Sequence, residues 1–436
     1  MTVNTSNLLF ERDVVKQLSQ QNAEPEWMLD FRLNALAKAS DLPLPKVEKT
    51  QIRFWNLTKF SPYTQQPVVA NYNELPQAVR SFTDTEVSQR NLLVQYNSSV
   101  VYTELMQELA DKGVIFTDLH TALREHGDLV QKYFMTKAIQ ADEDRLTALH
   151  SALWSGGVFL YVPQNVELDV PIQSLVWTDK SEAGVLPHVL IVVEANSRLT
   201  YVDNYISADG VEDVVHNGVS EVYVGAGAHV QYATLHHYGE GVTDVSLRRA
   251  VVEQDGRIDW IVGDLNNGNT LSDNLTVLEG NGSSGYVKSI TVGSGKQENS
   301  ITSRMKHIGK HTPSDILARG VMKDAASTIL NSITKIENGA SGADGQQTGR
   351  VLMLNEKARG DANPILLIDE HDVTAGHAAT VGKIDPMQVF YMMSRGLTRE
   401  EAERLIIYGF LNPLLEEIPL DGVVDQMKRV IERKLA

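Results

Sequence analysis

Four stretches of this chain carry one pattern, in which a β-branched run, a tight turn and a second β-branched run follow one another. They span residues 191–201, turning at Asn196-Ser197; 222–232, turning at Gly227-Ala228; 251–260, turning at Asp255-Gly256; and 277–287, turning near Gly282. The apolar residues after the turns, Leu199, Val230, Ile258 and Tyr286, recur at intervals of 28 to 31 residues. A period of this size marks stacked units, each unable to bury its apolar face alone. No helix of ten residues separates the strands, which disfavours leucine-rich and ankyrin arrays and favours a β-helix or β-solenoid. The repeat is loose, so the pattern alone leaves a large β-sandwich open.

The flanks read differently. Up to residue 152 the chain is expected to be a helical region with irregular connections. Trp27, Phe31, Leu33 and Leu36 suit one helix face, the periodicity is near 3.6 around 101–109 and 119–134, and Leu42-Pro43-Leu44-Pro45 punctuates the stretch. Residues 153–384 form the β core, in which 157–162 leads into an alternating segment at 166–172. From 385 to 436 helices return. Asp385-Pro386 is an N-cap with proline at the first helical position, Gly396 ends that helix, and Thr398 to Glu401 forms a capping box. Ala402, Leu405, Ile406, Gly409 and Phe410 are expected to share one face, Pro413 and Pro419 to break the helix, and Asp421 to cap a last one.

Composition narrows the chemistry. The formal charge of 39 − 56 = −17 makes nucleic acid and anionic membrane surfaces poor partners. There is no cysteine, so this chain supplies neither disulfide, thiolate ligand nor thiolate nucleophile. Leu8, Leu9 and Phe10 are too short an apolar run for a signal peptide, and no stretch approaches the ~20 apolar residues of a membrane span. A cytoplasmic protein is the expectation.

The segment from Leu352-Met-Leu-Asn355-Glu356-Lys357-Ala358 to Phe410 resembles the C-terminal core of the SufB/SufD family of iron–sulfur cluster assembly proteins. The matching pieces occur in order: Pro364-Ile-Leu-Leu-Ile-Asp369, Asp372-Val373, Gly376-His377-Ala-Ala-Thr380-Val-Gly382, Phe390-Tyr391, Ser394-Arg395-Gly396, Glu400-Glu401-Ala402 and Gly409-Phe410. Pro25-Glu26-Trp27 with Arg32 and Leu42-Pro43, and Ala148-Leu149-His150 with Trp154-Ser155-Gly156-Gly157, extend the likeness upstream. The resemblance implies a right-handed parallel β-helix flanked by N- and C-terminal helical regions. Within the family, Met392 stands where SufB-type chains resemble Phe-Tyr-Cys, and Pro419-Leu420-Asp421 has Asp in place of their Glu. His377-Ala378-Ala379-Thr380 is similar to the His-Gly-Ala-Thr of the SufD type, with Ala378 for Gly and Ala375 where some of those chains carry Cys.

That resemblance implies a non-catalytic scaffold subunit that pairs with SufB and docks the SufC ATPase, which supplies the ATPase activity; a homodimer is possible in isolation. It singles out His377 as a candidate iron or cluster ligand shared with SufB, since imidazole binds iron without a thiol. No cofactor is expected to be held by this chain alone, only a transient iron or iron–sulfur cluster at the SufB–SufD interface. The open strand edge of a β-helix must be capped or paired. Ile365, Leu367, Ile368 and Val373 are the candidate edge for SufB, and Tyr391, Arg395, Leu405, Phe410 and Asp421 the candidate surface on the C-terminal side.

The other histidines read as structural. His236 and His237 are adjacent on a strand and point to opposite faces, and His307 and His311 are expected to be solvated. A rival class is a β-helix carbohydrate lyase or hydrolase, for which Asp264, Asp273 and Glu279 are the available carboxylates. Gly280-Asn-Gly282-Ser-Ser-Gly285 reads as a turn, because no Lys-Ser/Thr follows it.

Overall fold

The computed structural model describes residues 10–61, 65–80, 91–416, 418 and 420–435. Leu8, Leu9 and Pro419, singled out above, lie outside the described residues. Two facing sheets form the molecule's axis. The first runs from Ser99–Glu104 through Leu92–Tyr96, Ile172–Thr178, Arg198–Ser207, His229–His237 and Arg257–Asp264. It continues through Ser284–Gly293, Pro313–Met322 and Asp344–Met353 to Thr374–Lys383. The second runs from Ile115–Asp118 through Gly157–Val162, His188–Val193, Val214–Val224 and Val242–Val252. It ends through Thr270–Leu278, Glu298–His307 and Ser327–Ile336 at Arg359–Ile368. From Gly157 onward consecutive long strands alternate between the sheets and every long-strand pairing is parallel, which makes a β-solenoid of about eight turns.

The turns read from the sequence are the corners of this solenoid. Asn196, Gly227, Asp255 and Gly282 have φ of 56°, 65°, 55° and 71°, the left-handed region that Gly, Asn and Asp reach at least cost. Leu199, Val230 and Ile258 stack in register, and with Tyr201, Tyr232, Trp260 and Val222 they fill an apolar half of the lumen. The fourth place is taken by Gly285, not Tyr286. A Cβ at Gly285 would lie 3.2 Å from both Met305 and Thr276, so a side chain there would have to push its neighbours aside by a few tenths of an ångström. Tyr286 falls on the outer face, where the Arg257 guanidinium covers its ring at 4.6 Å.

The first 152 residues are not purely helical. Leu92–Tyr96 pairs in parallel with Ile172–Thr178, while Ser99–Glu104 and Ile115–Asp118 add antiparallel strands at the ends of the two sheets. Only Gln107–Asp111 realises the helical period expected over 101–109. Pairing to an existing edge satisfies a strand's backbone groups, and that outweighs weak local periodicity. In the helix Glu26–Asp41 the buried face is Met28, Arg32, Ala35, Leu36 and Ala39, with Trp27, Phe31 and Leu33 only half-buried.

At the other end, helices Pro386–Ser394, Arg399–Leu415 and Asp421–Leu435 follow the last strand. The Asp385 carboxylate accepts from Met387 N at 2.9 Å, Gly396 has φ 101°, and the Thr398–Glu401 box is formed in both directions. The middle helix departs from its expected face and length. It runs through Pro413 to Leu415 because Ile407, Leu411, Leu414 and Leu415 bury themselves in a cluster with Ala233, Leu235, Ile261 and Val292 of the first sheet. Burying such side chains is worth about 1.5–3 kcal/mol each, enough to tolerate proline near a helix end. Leu405 is left outside, 51% exposed.

Candidate functional site

The two ends of the solenoid differ. The strands that end the sheets at the N-terminal end bury Ser99, Val101, Tyr102 and Phe116, whereas at the C-terminal end Arg359–Ile368 and Thr374–Lys383, each paired among the described residues with one strand, bury none of their residues. Each last strand thus presents an open edge. Leu367, Ile368 and Val381 are 47%, 40% and 42% exposed there, while Ile365 and Val373 are half-buried.

His377 lies in the last strand, in register with Gln347. The Gln347 side chain points into the lumen, donating to Thr334 Oγ1 at 2.5 Å and to the Ile365 carbonyl at 3.1 Å. Stacked parallel strands keep the same residues on the same face, so His377 occupies the lumen-facing register of a rung with nothing beyond it. It is exposed, and its imidazole has no hydrogen-bond or ion-pair partner among the described residues. Met387, Phe390 and Tyr391 of the first C-terminal helix are 64–69% exposed. Arg395, Leu405 and Asp421 are also exposed. Phe410 is half-buried, its ring 5.5 Å from the Arg319 guanidinium.

A second polar centre lies inside the solenoid. His216 Nδ1 is 2.7 Å from Asp244 Oδ1, and His236 Nδ1 is 2.8 Å from Asp244 Oδ2. Asn266 and Ser246 donate to the same carboxylate at 2.6 and 2.8 Å. Arg248 Nη2 donates to His236 Nε2 at 2.7 Å and Nη1 to Ser272 at 2.8 Å, while Asp264 lies 3.9 Å from the guanidinium. All are buried. Burial pushes the Asp244 carboxyl up, but the two imidazoles and their hydrogen bonds outweigh it and hold it well below the usual carboxylate range. Burial holds His236 down, and pushes Asp264 up despite Arg248. Sequence reasoning missed this centre. The signal was available: His216 and Asp244, and likewise His236 and Asp264, are one 28-residue period apart and stack in register.

The histidine pairs separate as alternation requires for His236, buried, and His237, half-buried. His307 corrects the expectation of a solvated side chain. It is fully buried, bonded to Thr312 at 2.8 Å and Ser314 at 2.9 Å, because its strand residue faces the lumen; His311 forms a corner at φ 55°. The three carboxylates of the rival enzyme reading do not converge. Asp264 is in the lumen, Asp273 pairs with Arg304 on the outer face, and Glu279 pairs with Lys137.

The comparisons with known proteins agree with this architecture. The family described as "SUF system FeS cluster assembly, SufBD core domain" matches residues 176–410, and the "SufBD protein N-terminal region" matches residues 12–174. The chain belongs to the SufBD family. It is similar to the iron–sulfur cluster assembly protein SufD of Bacillus subtilis, 48% identical over 100% of both chains. An iron–sulfur cluster assembly SufBD family protein of Staphylococcus epidermidis is 31% identical over 96% of this chain and 92% of that one. The matched core therefore takes in both the His377 rung and the buried histidine centre of this SufBD chain. No described helix is long and apolar enough to cross a membrane.

Proposed function

We propose that this chain is the thiol-free half of an iron–sulfur assembly scaffold. Its open end pairs edge to edge with a SufB-type chain, and His377 lends its imidazole to iron or a nascent cluster at the join. The observation that carries this reading is the unequal burial of the two ends: the terminal strands are partly covered at one end, while at the end that holds His377 neither terminal strand buries a residue. An unpaired edge with exposed Leu367, Ile368 and Val381 suits strand addition by a second solenoid. With no cysteine, the softer thiolate ligands a cluster prefers come from the partner, and imidazole supplies the remaining position. The uncovered Met387, Phe390, Tyr391 and Leu405 support a separate docking surface for a SufC-type ATPase on the C-terminal helices.

Co-expression with SufB- and SufC-type partners tests each part. Leu367→Lys with Val381→Lys should abolish co-purification of the SufB-type chain while retaining the ATPase, and Phe390→Asp with Leu405→Asp should do the reverse. His377→Ala should leave the complex intact and slow cluster formation by about tenfold or more, the cost typical of losing a metal-site group. Wild-type assembly rates in a His377→Ala complex would remove this residue from the site.

A further inference from the structure

The buried His216–His236–Asp244 centre has the composition of a metal site. We propose that it binds one divalent first-row transition cation within the solenoid, a site separate from His377 and independent of any partner chain. Each of the three residues offers a ligand atom, and these atoms lie within 4.8 Å of one another. Two ligand atoms on a cation, each at ~2.1 Å, stand ~3.0 Å apart at octahedral angles and ~3.4 Å apart at tetrahedral ones. The observed 2.7 and 2.8 Å between each imidazole Nδ1 and its carboxylate oxygen are hydrogen-bond lengths, so these atoms need to part by only a few tenths of an ångström to seat a cation. Two imidazoles and one carboxylate form a donor set that suits iron(II), cobalt(II) or zinc and gives no advantage to magnesium or calcium.

The surroundings support a cation in three ways. First, both oxygens of Asp264 are buried without a hydrogen-bond partner among the described residues. Such orphaned groups are costly unless another state uses them. Second, coordination through Nδ1 moves the imidazole proton to Nε2. On His236 that nitrogen now accepts from Arg248, so the guanidinium must turn away. Asp264 is the neighbour of His236 in the sheet register and 3.9 Å from Arg248, and its free oxygens can take both the new N–H and the displaced guanidinium. A carboxylate behind a metal-bound imidazole is the usual outer support of such sites. Third, the centre lies close to a surface cavity. Asn266, which donates to Asp244, has its carbonyl bonded on the other side by Lys434 and by Gln297 at 3.0 Å. Gln297 and Lys434 line a surface cavity of about 510 Å³ beside the last helix. Asn266 thus lies between the lining of that cavity and Asp244.

The full-length chain, purified free of metal, is titrated with cobalt(II), zinc or anaerobic iron(II). Expected are one equivalent bound, ligand-field absorption of cobalt(II) characteristic of nitrogen and oxygen donors, and a rise in melting temperature with metal. Asp264→Asn should weaken binding about tenfold, and His216→Gln should abolish both the spectrum and the rise in melting temperature. His377→Ala should retain all of it. Because the wild-type spectrum needs no variant, a folding failure of His216→Gln leaves the test intact. Absence of stoichiometric metal in the wild type, or binding lost with His377→Ala and kept in a folded His216→Gln, overturns the site. Neither result bears on the partner edge, which is read by co-purification.

Discussion

Two buried glutamates illustrate how neighbours decide charge. Glu24 is bracketed by Arg32 at 2.6 Å and His120 at 3.1 Å, all with side chains out of solvent. Burial pushes its carboxyl up, but Arg32 and the hydrogen bonds from His120 and Arg32 win, and it falls to about 2. Glu221 meets no lysine or arginine among the described residues, only His188 at 3.1 Å, which burial holds down to about 3; burial takes Glu221 up to about 8, although Met135 N donates to it at 2.7 Å. The pH dependences are therefore opposite. For Glu24 the folded value lies below the ordinary 4.5, so its contribution is present above 4.5 and lost as pH falls towards about 2, roughly 3 kcal/mol in all. For Glu221 the folded value lies above 4.5, so its contribution is present at low pH and lost as pH rises through about 8. Urea unfolding checks both. Arg32→Met should destabilise by about 3–5 kcal/mol at neutral pH, because it strands a buried carboxylate. Glu221→Gln should gain on the wild type as pH is raised from about 5 to about 8; a constant difference across that range would refute the shifted Glu221.

Among elements, the strand Gly157–Val162 begins the solenoid, and its first residue shows why Trp154-Ser155-Gly156-Gly157 ends in glycines. Gly157 has φ 102°, and a Cβ there would lie 2.0 Å from the His188 carbonyl oxygen of the adjacent strand. Gly396, between the first two C-terminal helices, has almost the same φ of 101° but open space around it. Their alanine variants should differ sharply. Gly396→Ala should cost about 1–2 kcal/mol, from backbone strain alone, whereas Gly157→Ala should cost more than ~4 kcal/mol or prevent folding. Equal midpoints for the two in thermal unfolding would show that the close approach is not needed to start the first rung. The C-terminal elements were legible by the same kind of local rule: Asp385, Gly396 and the Thr398–Glu401 box act within one turn of chain. The buried face of Arg399–Leu415 was not legible, because the sheet it packs on selects Ile407 and Leu411 over Leu405.

For the molecule as a whole, the two ends of one solenoid meet different fates. Helices and antiparallel strands occupy the N-terminal end, and the C-terminal end stops at two unpaired edges with apolar side chains in solvent. An exposed edge of this kind recruits a second copy when no better partner is present. The isolated chain should therefore dimerise with rising concentration in light scattering, and Ile368→Lys with Val381→Lys should keep it monomeric. A wild type that stays monomeric at high micromolar concentration would argue that the edge needs a distinct partner surface.

The sequence by itself determined the corners of the solenoid, because they are local: a left-handed Asn, Asp or Gly every 27 to 31 residues turns the chain, and only the stacking of the rungs decided for a solenoid over a β-sandwich. It also determined that thiolate chemistry must come from elsewhere, since no cysteine is present, and its motifs led to His377. Only the tertiary structure decided that residues 92–118 add strands to both sheets, that His307 is buried, and that His216, His236 and Asp244 converge. Those outcomes depend on which rungs stack and which face turns inward. Register across parallel strands is a long-range property, set by the packing of a lumen that no local window of sequence contains.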